Sequence, residues 1–258
     1  MTDLIEQQRQ HFNDISEKYF QSRRHPSHLL LKKLIWETFL ARNADTLSGV
    51  QSLLEPMCGM AEGRDILKDK LAPGFSYYGF DYSENMVEIA KQLKPGLDIG
   101  WSDVTTFRET ASPFDMMVLI GGLHHVYSRT PEVVHNLRES LRPGGYFLNF
   151  EPTHNNWLTR KVRQRIYKSN PLFDDDTEQG FEYEDLDRHF KSAGFTKVDE
   201  VYPGLLAYVL YYNPDAFPAL NVGGTFLVRA LFALDRLMWS NWLGRKLSFA
   251  TMTLWRKT

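Results

Sequence analysis

Three carboxylates, Glu55, Asp81 and Asp103, each follow a short β-rich run, and His124, His125, Glu151 and His154 follow two later runs. Acids in such places can bind the hydroxyls or amines of a ligand. Imidazoles beside a carboxylate can take a proton, since an unperturbed histidine pKa of about 6.5 suits general-base work at neutral pH. Each group also has a plainer reading. Glu55 could cap the next helix, Asp81 with Ser83 could start a helix, Asp103 could be a turn residue, and "LHH" could be a structural turn. The joint placement of three acids after three successive runs favours a binding site over three coincidences.

The elements that must position these residues can be read from the pattern. Strands are expected at 50–55, 77–81, 97–101, 114–120 and 145–151, with helices "AEGRDILKDKL", "SENMVEIAKQL" and "PEVVHNLRESL" between them. The last of these has Pro131 in its first turn and stops before "RPGG", a sequence that forces a turn. Upstream, "HPSHLLLKKLIWETFLA" has helical spacing. Downstream come "EYEDLDRHFKSAGF", closed by Gly194, the strand "TKVDEVY" and a last strand "SFATMTLWRK". Strands alternating with helices predict an α/β fold, a doubly wound seven-stranded sheet. Its last strand is expected antiparallel beside the fifth, after a helical insertion. Ligands collect at the carboxyl ends of strands in such sheets, where the winding reverses. The residues named above all fall there.

Five stretches, "LLEPMCGMAEG", "YYGFDYSENMVEIAKQ", "SDVTTF", "FDMMVLIGGLHHV" and "LRESLRPGGYFLNFE", together resemble the class I S-adenosylmethionine-dependent methyltransferases. The likeness is to the small-molecule branch similar to the ubiquinone-pathway enzymes. The resemblance implies S-adenosyl-L-methionine as cofactor and a Rossmann-like methyltransferase fold. It places Glu55 on the methionine amino group and the backbone at Cys58 and Gly59 beneath the cofactor. It puts Asp81 on both ribose hydroxyls, with Tyr82 and Met86 against the adenine, and Asp103 with the amide of Val104 on the adenine amino group. Ile120 and Gly121 would line the methionine end, and Tyr19 would contact the cofactor from an N-terminal leader.

The first motif departs from the family pattern, because Met57 and Ala61 stand where glycines are usual and only Gly59 remains. Alanine is tolerable at negative φ, whereas Met57 in a left-handed conformation is strained. The same loop argues against a nicotinamide cofactor, whose pyrophosphate needs a fuller glycine pattern than Gly59 and Gly63 supply. Cys58, the only cysteine, reads as packing and excludes an internal disulfide.

A net charge of −2 with 24% charged residues lacks the basic excess of a nucleic-acid binder. No metal-ligand spacing is present. No apolar run of 18 residues occurs, and the reducing compartment implied by one cysteine predicts a cytoplasmic protein, with peripheral membrane contact left open. The chain is read as one methyltransferase domain over 1–258, with a helical cap at 1–45, a cofactor-binding core at 46–155 and a helical insertion or lid at 203–246. Phe226 to Leu243, rich in apolar residues but interrupted by Arg229, Asp235 and Arg236, fits a core or homodimer helix, a lid over an apolar substrate, or a membrane-surface helix. The expected partner is a small-molecule acceptor methylated on a hydroxyl of a sugar, lipid-linked glycan or lipophilic metabolite. Carbon methylation of a quinone-like ring, or cofactor binding without turnover, are the alternatives.

Overall fold

The computed structural model describes residues 6, 9–10, 24–156, 159–161, 180–212 and 224–258. Seven strands form one sheet: β1 (Ser52–Pro56), β2 (Ser76–Asp81), β3 (Ile99–Trp101), β4 (Phe114–Ile120), β5 (Leu141–Pro152), β6 (Phe195–Val201) and β7 (Ala250–Lys257). Their order is β3-β2-β1-β4-β5-β7-β6. The pairs β1/β2, β1/β4, β2/β3 and β4/β5 are parallel, and β7 runs antiparallel between β5 and β6. The antiparallel last strand expected beside the fifth is therefore present. Its register sets Thr251 opposite Glu151 and Thr253 opposite Asn149.

β4 explains why the sheet is buried on both faces. Met116, Met117, Val118 and Leu119 are all fully buried, the continuous apolar run expected of a central parallel strand. Each such side chain contributes about 1.5–3 kcal/mol on burial. α1 (Pro26–Arg42) opens with proline in its first turn and is capped by His25, which accepts from the Ser27 amide at 3.2 Å. It lays Leu31, Ile35, Trp36, Phe39 and Leu40 on one sheet face. There it meets α7 (Leu206–Tyr211) and α8 (Gly224–Arg236), whose Val228 and Phe232 join the same core. The described parts of the 203–246 segment thus contribute to this layer. The short helices α2 (Ala44–Leu47) and α3 (Glu62–Leu67) flank β1, and α4 (Glu84–Leu93) follows β2. α5 (Thr130–Glu139) and α6 (Tyr183–Ser192) cover the opposite face through Val133, Leu137, Leu186 and Phe190, with Phe190 stacked on Trp255 at 4.8 Å. α9 (Trp242–Leu247) lies just before β7.

Two boundaries differ from the sequence reading. The fifth strand begins at Leu141, because "RPGG" forms an irregularity inside the strand: Phe114 pairs with Leu141 and Met116 with Tyr146. Gly144, at φ +75°, makes that detour. The helix after β1 starts at Glu62, since Ala61 has left-handed φ +55° and stands outside it. Among the described residues, no helix is long and apolar enough to cross a membrane.

Candidate active site

The carboxyl ends of β1, β2, β4 and β5 share one sheet edge, and the order reverses between β1 and β4. The chain leaves β1 through a loop in which Met57, Gly59 and Ala61 have φ of 51°, 49° and 55°. The alternating left-handed pattern that glycines would adopt freely is kept by two residues that resist it. The negative φ at which alanine would be tolerable is not adopted: a Cβ sits in the αL region at Ala61 and at Met57, at a cost of about 1–2 kcal/mol each.

Glu55 holds this loop. Its Oε1 accepts the Gly63 amide at 2.7 Å, and its Oε2 accepts the Arg64 amide at 3.0 Å and the Tyr77 hydroxyl at 2.9 Å. The carboxylate is buried, and burial raises its pKa from 4.5 to about 7 against the pull of those donors. Two of these partners, the Gly63 and Arg64 amides, lie in the first turn of α3, as a cap's would. Gly63 is glycine for space, since an added Cβ would lie 2.8 Å from Glu55 Oε1 and 2.7 Å from Val118. Tyr77, a partner not anticipated from sequence, reaches Glu55 by lying across Gly79, where a Cβ would collide with its hydroxyl. A tyrosine two residues before a glycine in one strand was the available signal.

Asp81 ends β2, half-buried. Oδ2 accepts the Gly59 amide at 2.9 Å and Oδ1 the Ser83 amide at 3.0 Å. Burial raises its pKa while those amides oppose the shift. Ser83 itself caps α4 through the Met86 amide, and the Met86 side chain covers Gly59. Tyr82 pairs with Trp101 at 5.5 Å between ring centroids, and the Trp101 indole donates to the Tyr82 carbonyl at 2.8 Å. Trp101 is 53% exposed. Such an open aromatic pair beside an acid is a ready platform for a planar ring, and the sequence reading had missed Trp101. From the N-terminal segment, Arg9 lies over the Tyr82 ring at 5.9 Å and pairs with Glu84 at 2.6 Å. Tyr19 lies outside the described residues. Asp103 accepts the Thr105 amide at 2.8 Å in a turn, with Val104 buried beside it. Cys58 is buried, which pushes its thiol pKa well up and leaves it a packing residue.

At the other half of the edge, Ile120 is half-buried and Gly121, at φ +62°, donates its amide to Phe150 O at 2.7 Å. Glu151 is fully buried. Its Oε1 accepts the Gly122 and Leu123 amides, each at 2.9 Å, and Oε2 lies 3.0 Å from His124 Nδ1. Burial drives its pKa from 4.5 to about 8, with the amide bonds pulling the other way. His125 is half-exposed with its ring 4.0 Å from that of His124. His154 is placed on the loop after β5 by its amide, which donates to Phe181 O at 2.8 Å. Of the four proposed proton-handling residues, the structure joins His124 and Glu151 directly. No group of three or more His, Cys, Asp or Glu able to hold a metal occurs among the described residues.

Residues 54–147 match the family model of a methyltransferase domain. The chain is 25% identical over 146 residues to the demethylmenaquinone methyltransferase of Lactococcus lactis subsp. lactis (strain IL1403), covering 54% of this chain and 56% of the relative. It is 33% identical over 109 residues to a phthiotriol/phenolphthiotriol dimycocerosates methyltransferase of Mycobacterium ulcerans (strain Agy99), covering 42% and 41%. The matches thus span about half the length of these relatives. Among solved structures, a SAM-dependent methyltransferase of Thermotoga maritima superposes with TM-score 0.64 at 14% identity, covering 97% of this chain and all of that one. Magnesium protoporphyrin IX methyltransferase of Synechocystis, with bound S-adenosylhomocysteine, gives TM-score 0.60 at 13% identity, covering 97% and 98%. Residues 54–147 thus match a methyltransferase domain, and the sheet ordered β3-β2-β1-β4-β5-β7-β6 has the Rossmann-like fold of the solved methyltransferases.

Proposed function

We propose that the protein transfers the methyl group of S-adenosyl-L-methionine to a hydroxyl of a small molecule: a sugar, a lipid-linked glycan or a lipophilic metabolite. The observation that carries this reading is the buried His124–Glu151 pair, 3.0 Å apart, across the strand reversal from the half-buried Asp81. The residues present fit the cofactor. Asp81 has each oxygen satisfied once by an amide and keeps acceptor capacity suited to paired hydroxyls. Tyr82 and Trp101 offer the aromatic surface, and Asp103 with Val104 follows at the next strand end. Because Glu55 is engaged by Gly63, Arg64 and Tyr77, its part is to shape the loop whose backbone, with Gly121, would meet the methionine end.

The cofactor supplies a methyl group already activated on a sulfonium. The chain's own work is to place the acceptor and take its proton. Glu151 sets what His124 can do. Two amide hydrogens occupy Oε1, so a proton on this carboxyl resides on Oε2 and points at Nδ1. In that state the imidazole carries its hydrogen on Nε2 and is a donor. Once the carboxyl ionises, Nδ1–H donates to Oε2 and Nε2 becomes the accepting nitrogen, a general base. His125, its ring 4.0 Å from that of His124, and His154, on the loop after β5, are the remaining candidates to take the proton.

Similarity to a demethylmenaquinone methyltransferase favours a second reading, carbon methylation of a quinone-like ring, in which the same base removes a ring-hydroxyl proton. Titration calorimetry with S-adenosylmethionine, S-adenosylhomocysteine and NADPH tests the class, and labelled-methyl transfer to sugar, lipid and quinol acceptors tests the reaction. Binding of the two sulfur ligands alone is expected. Binding without transfer to any acceptor class would leave a cofactor-binding protein without turnover, and no binding would overturn the proposal.

A further inference from the structure

Helix α8 carries two apolar faces. The inner one, Val228, Phe232 and then Trp239 beyond the helix end, is buried against α1 and α7. The outer one holds Phe226, Ala230, Ala233 and Leu237 at helical spacing, with Leu234 beside them. Phe226 is 82% exposed and Leu237 75%. The exposed surface continues onto α9 with Trp242 at 66%, Leu243 and Leu247. Six large apolar side chains on one short stretch are too many for an ordinary soluble face.

The exposed charges that this segment itself carries have one sign. Between residues 224 and 248 stand Arg229, Arg236, Arg245 and Lys246, and the single acid, Asp235, is buried where it accepts the Leu206 and Ala207 amides. Arg229 and Arg236, both exposed, lie one turn-pair apart and flank the outer apolar face on one side. In a chain of net charge −2 this is a local concentration of cations.

We infer that the outer face of α8 with α9 docks the protein on an anionic lipid surface, Phe226, Leu237 and Trp242 entering the acyl boundary and the exposed Arg229 and Arg236 meeting headgroup charge. A second copy is the poorer occupant. A two-fold interface over this face would bring the arginines of both copies into one self-complementary patch without acids to pair them. The surface is tied to the site's edge. Asn155 and Asn156, four and five residues beyond Glu151, donate their side-chain amides to the Arg245 and Lys246 carbonyls at 2.5 Å. The inference goes beyond the methyl-transfer reading and does not depend on it.

Vesicle flotation of the full chain tests it, comparing phosphatidylcholine vesicles with vesicles that include phosphatidylglycerol. Binding to the anionic vesicles, weakened by salt, is expected. Arg229→Gln with Arg236→Gln should lower the partition coefficient about fivefold per cation at the surface. Phe226→Ser with Leu237→Ser and Trp242→Ser should abolish flotation, while thermal melts by circular dichroism stay unchanged because these side chains are exposed. Absence of flotation with anionic vesicles, or equal flotation by both variants, would overturn the proposal. A concentration-dependent dimer in sedimentation equilibrium, lost in the triple variant and unaccompanied by flotation, would assign the face to a second copy instead.

Discussion

Glu55 and Glu151 occupy equivalent places in two halves of one sheet edge and do the same first job. Each is a buried carboxylate at the end of a parallel strand, and each accepts two backbone amides of the segment that leaves a neighbouring or the same strand: Gly63 and Arg64 for Glu55, Gly122 and Leu123 for Glu151. They differ in the third partner. For Glu55 it is the Tyr77 hydroxyl, whose own pKa is pushed far up by burial and by the Glu55 charge; for Glu151 it is an imidazole. A tyrosine so placed is a fixed donor across the working pH range, so its hydrogen bond to Glu55 keeps one direction. Histidine exchanges the direction of its hydrogen bond with the carboxyl's protonation, so in the proposed mechanism the same anchor at Glu151 becomes a control on proton transfer.

The sharpest way to break this contrast is Glu151→Gln. The amide oxygen can still accept from Gly122 and Leu123, but its NH2 donates to Nδ1 and fixes the histidine with hydrogen on Nε2. A fall in kcat of about 10²–10⁴-fold is expected with the fold retained, read by transfer assays beside a melting curve. Unchanged kcat would remove His124 from the chemistry. Glu55→Ala should act on stability instead, losing about 2–4 kcal/mol in urea unfolding as two amides and a hydroxyl are left without their acceptor.

The pH dependence of unfolding sharpens the pair further. Both carboxyls are raised above their ordinary 4.5, Glu55 to about 7 and Glu151 to about 8. The folded state therefore holds protons that the unfolded chain releases. The contribution is fully present below pH 4.5 and is lost as pH rises through 7 for Glu55 and 8 for Glu151. Urea titrations between those limits should show stability falling with pH, and Glu151→Gln should remove the portion near pH 8. Activity should run the other way there, rising as Glu151 ionises and frees Nε2 to accept. The smallest effect belongs to the loop that Glu55 braces. Ala61→Gly relieves left-handed strain but loosens the unfolded chain, so it should stabilise by about 0.5–1 kcal/mol, measured as a shift in melting temperature.

Much of the fold was legible because strand-helix alternation writes itself into local pattern. The buried run of β4, the proline-started α1 and the Ser83 cap of α4 are each fixed by residues within a few positions of one another. Boundaries failed where conformation was decided by distant contacts. Ala61 stays outside its helix because Asp81 and Glu55 hold both ends of the loop, and "RPGG" becomes part of β5 because β4 supplies the ladder on either side of it. The acids at the strand ends were equally visible as a set. Their partners were not, since Tyr77 reaches Glu55 across 22 residues and Glu151 reaches Gly122 across 29.

The sequence by itself determined the α/β alternation, the chain positions of the acids and histidines, and the methyltransferase family that their order resembles, because those depend on residue type and near spacing. Only the tertiary structure decided that Glu55 bonds two loop amides and a tyrosine while Glu151 bonds two amides and a histidine, that Met57 and Ala61 keep a left-handed backbone, and that α8 turns a second apolar face outward. Each of these depends on which side chain from another strand or helix fills the last position around a group, and local pattern carries no record of that neighbour.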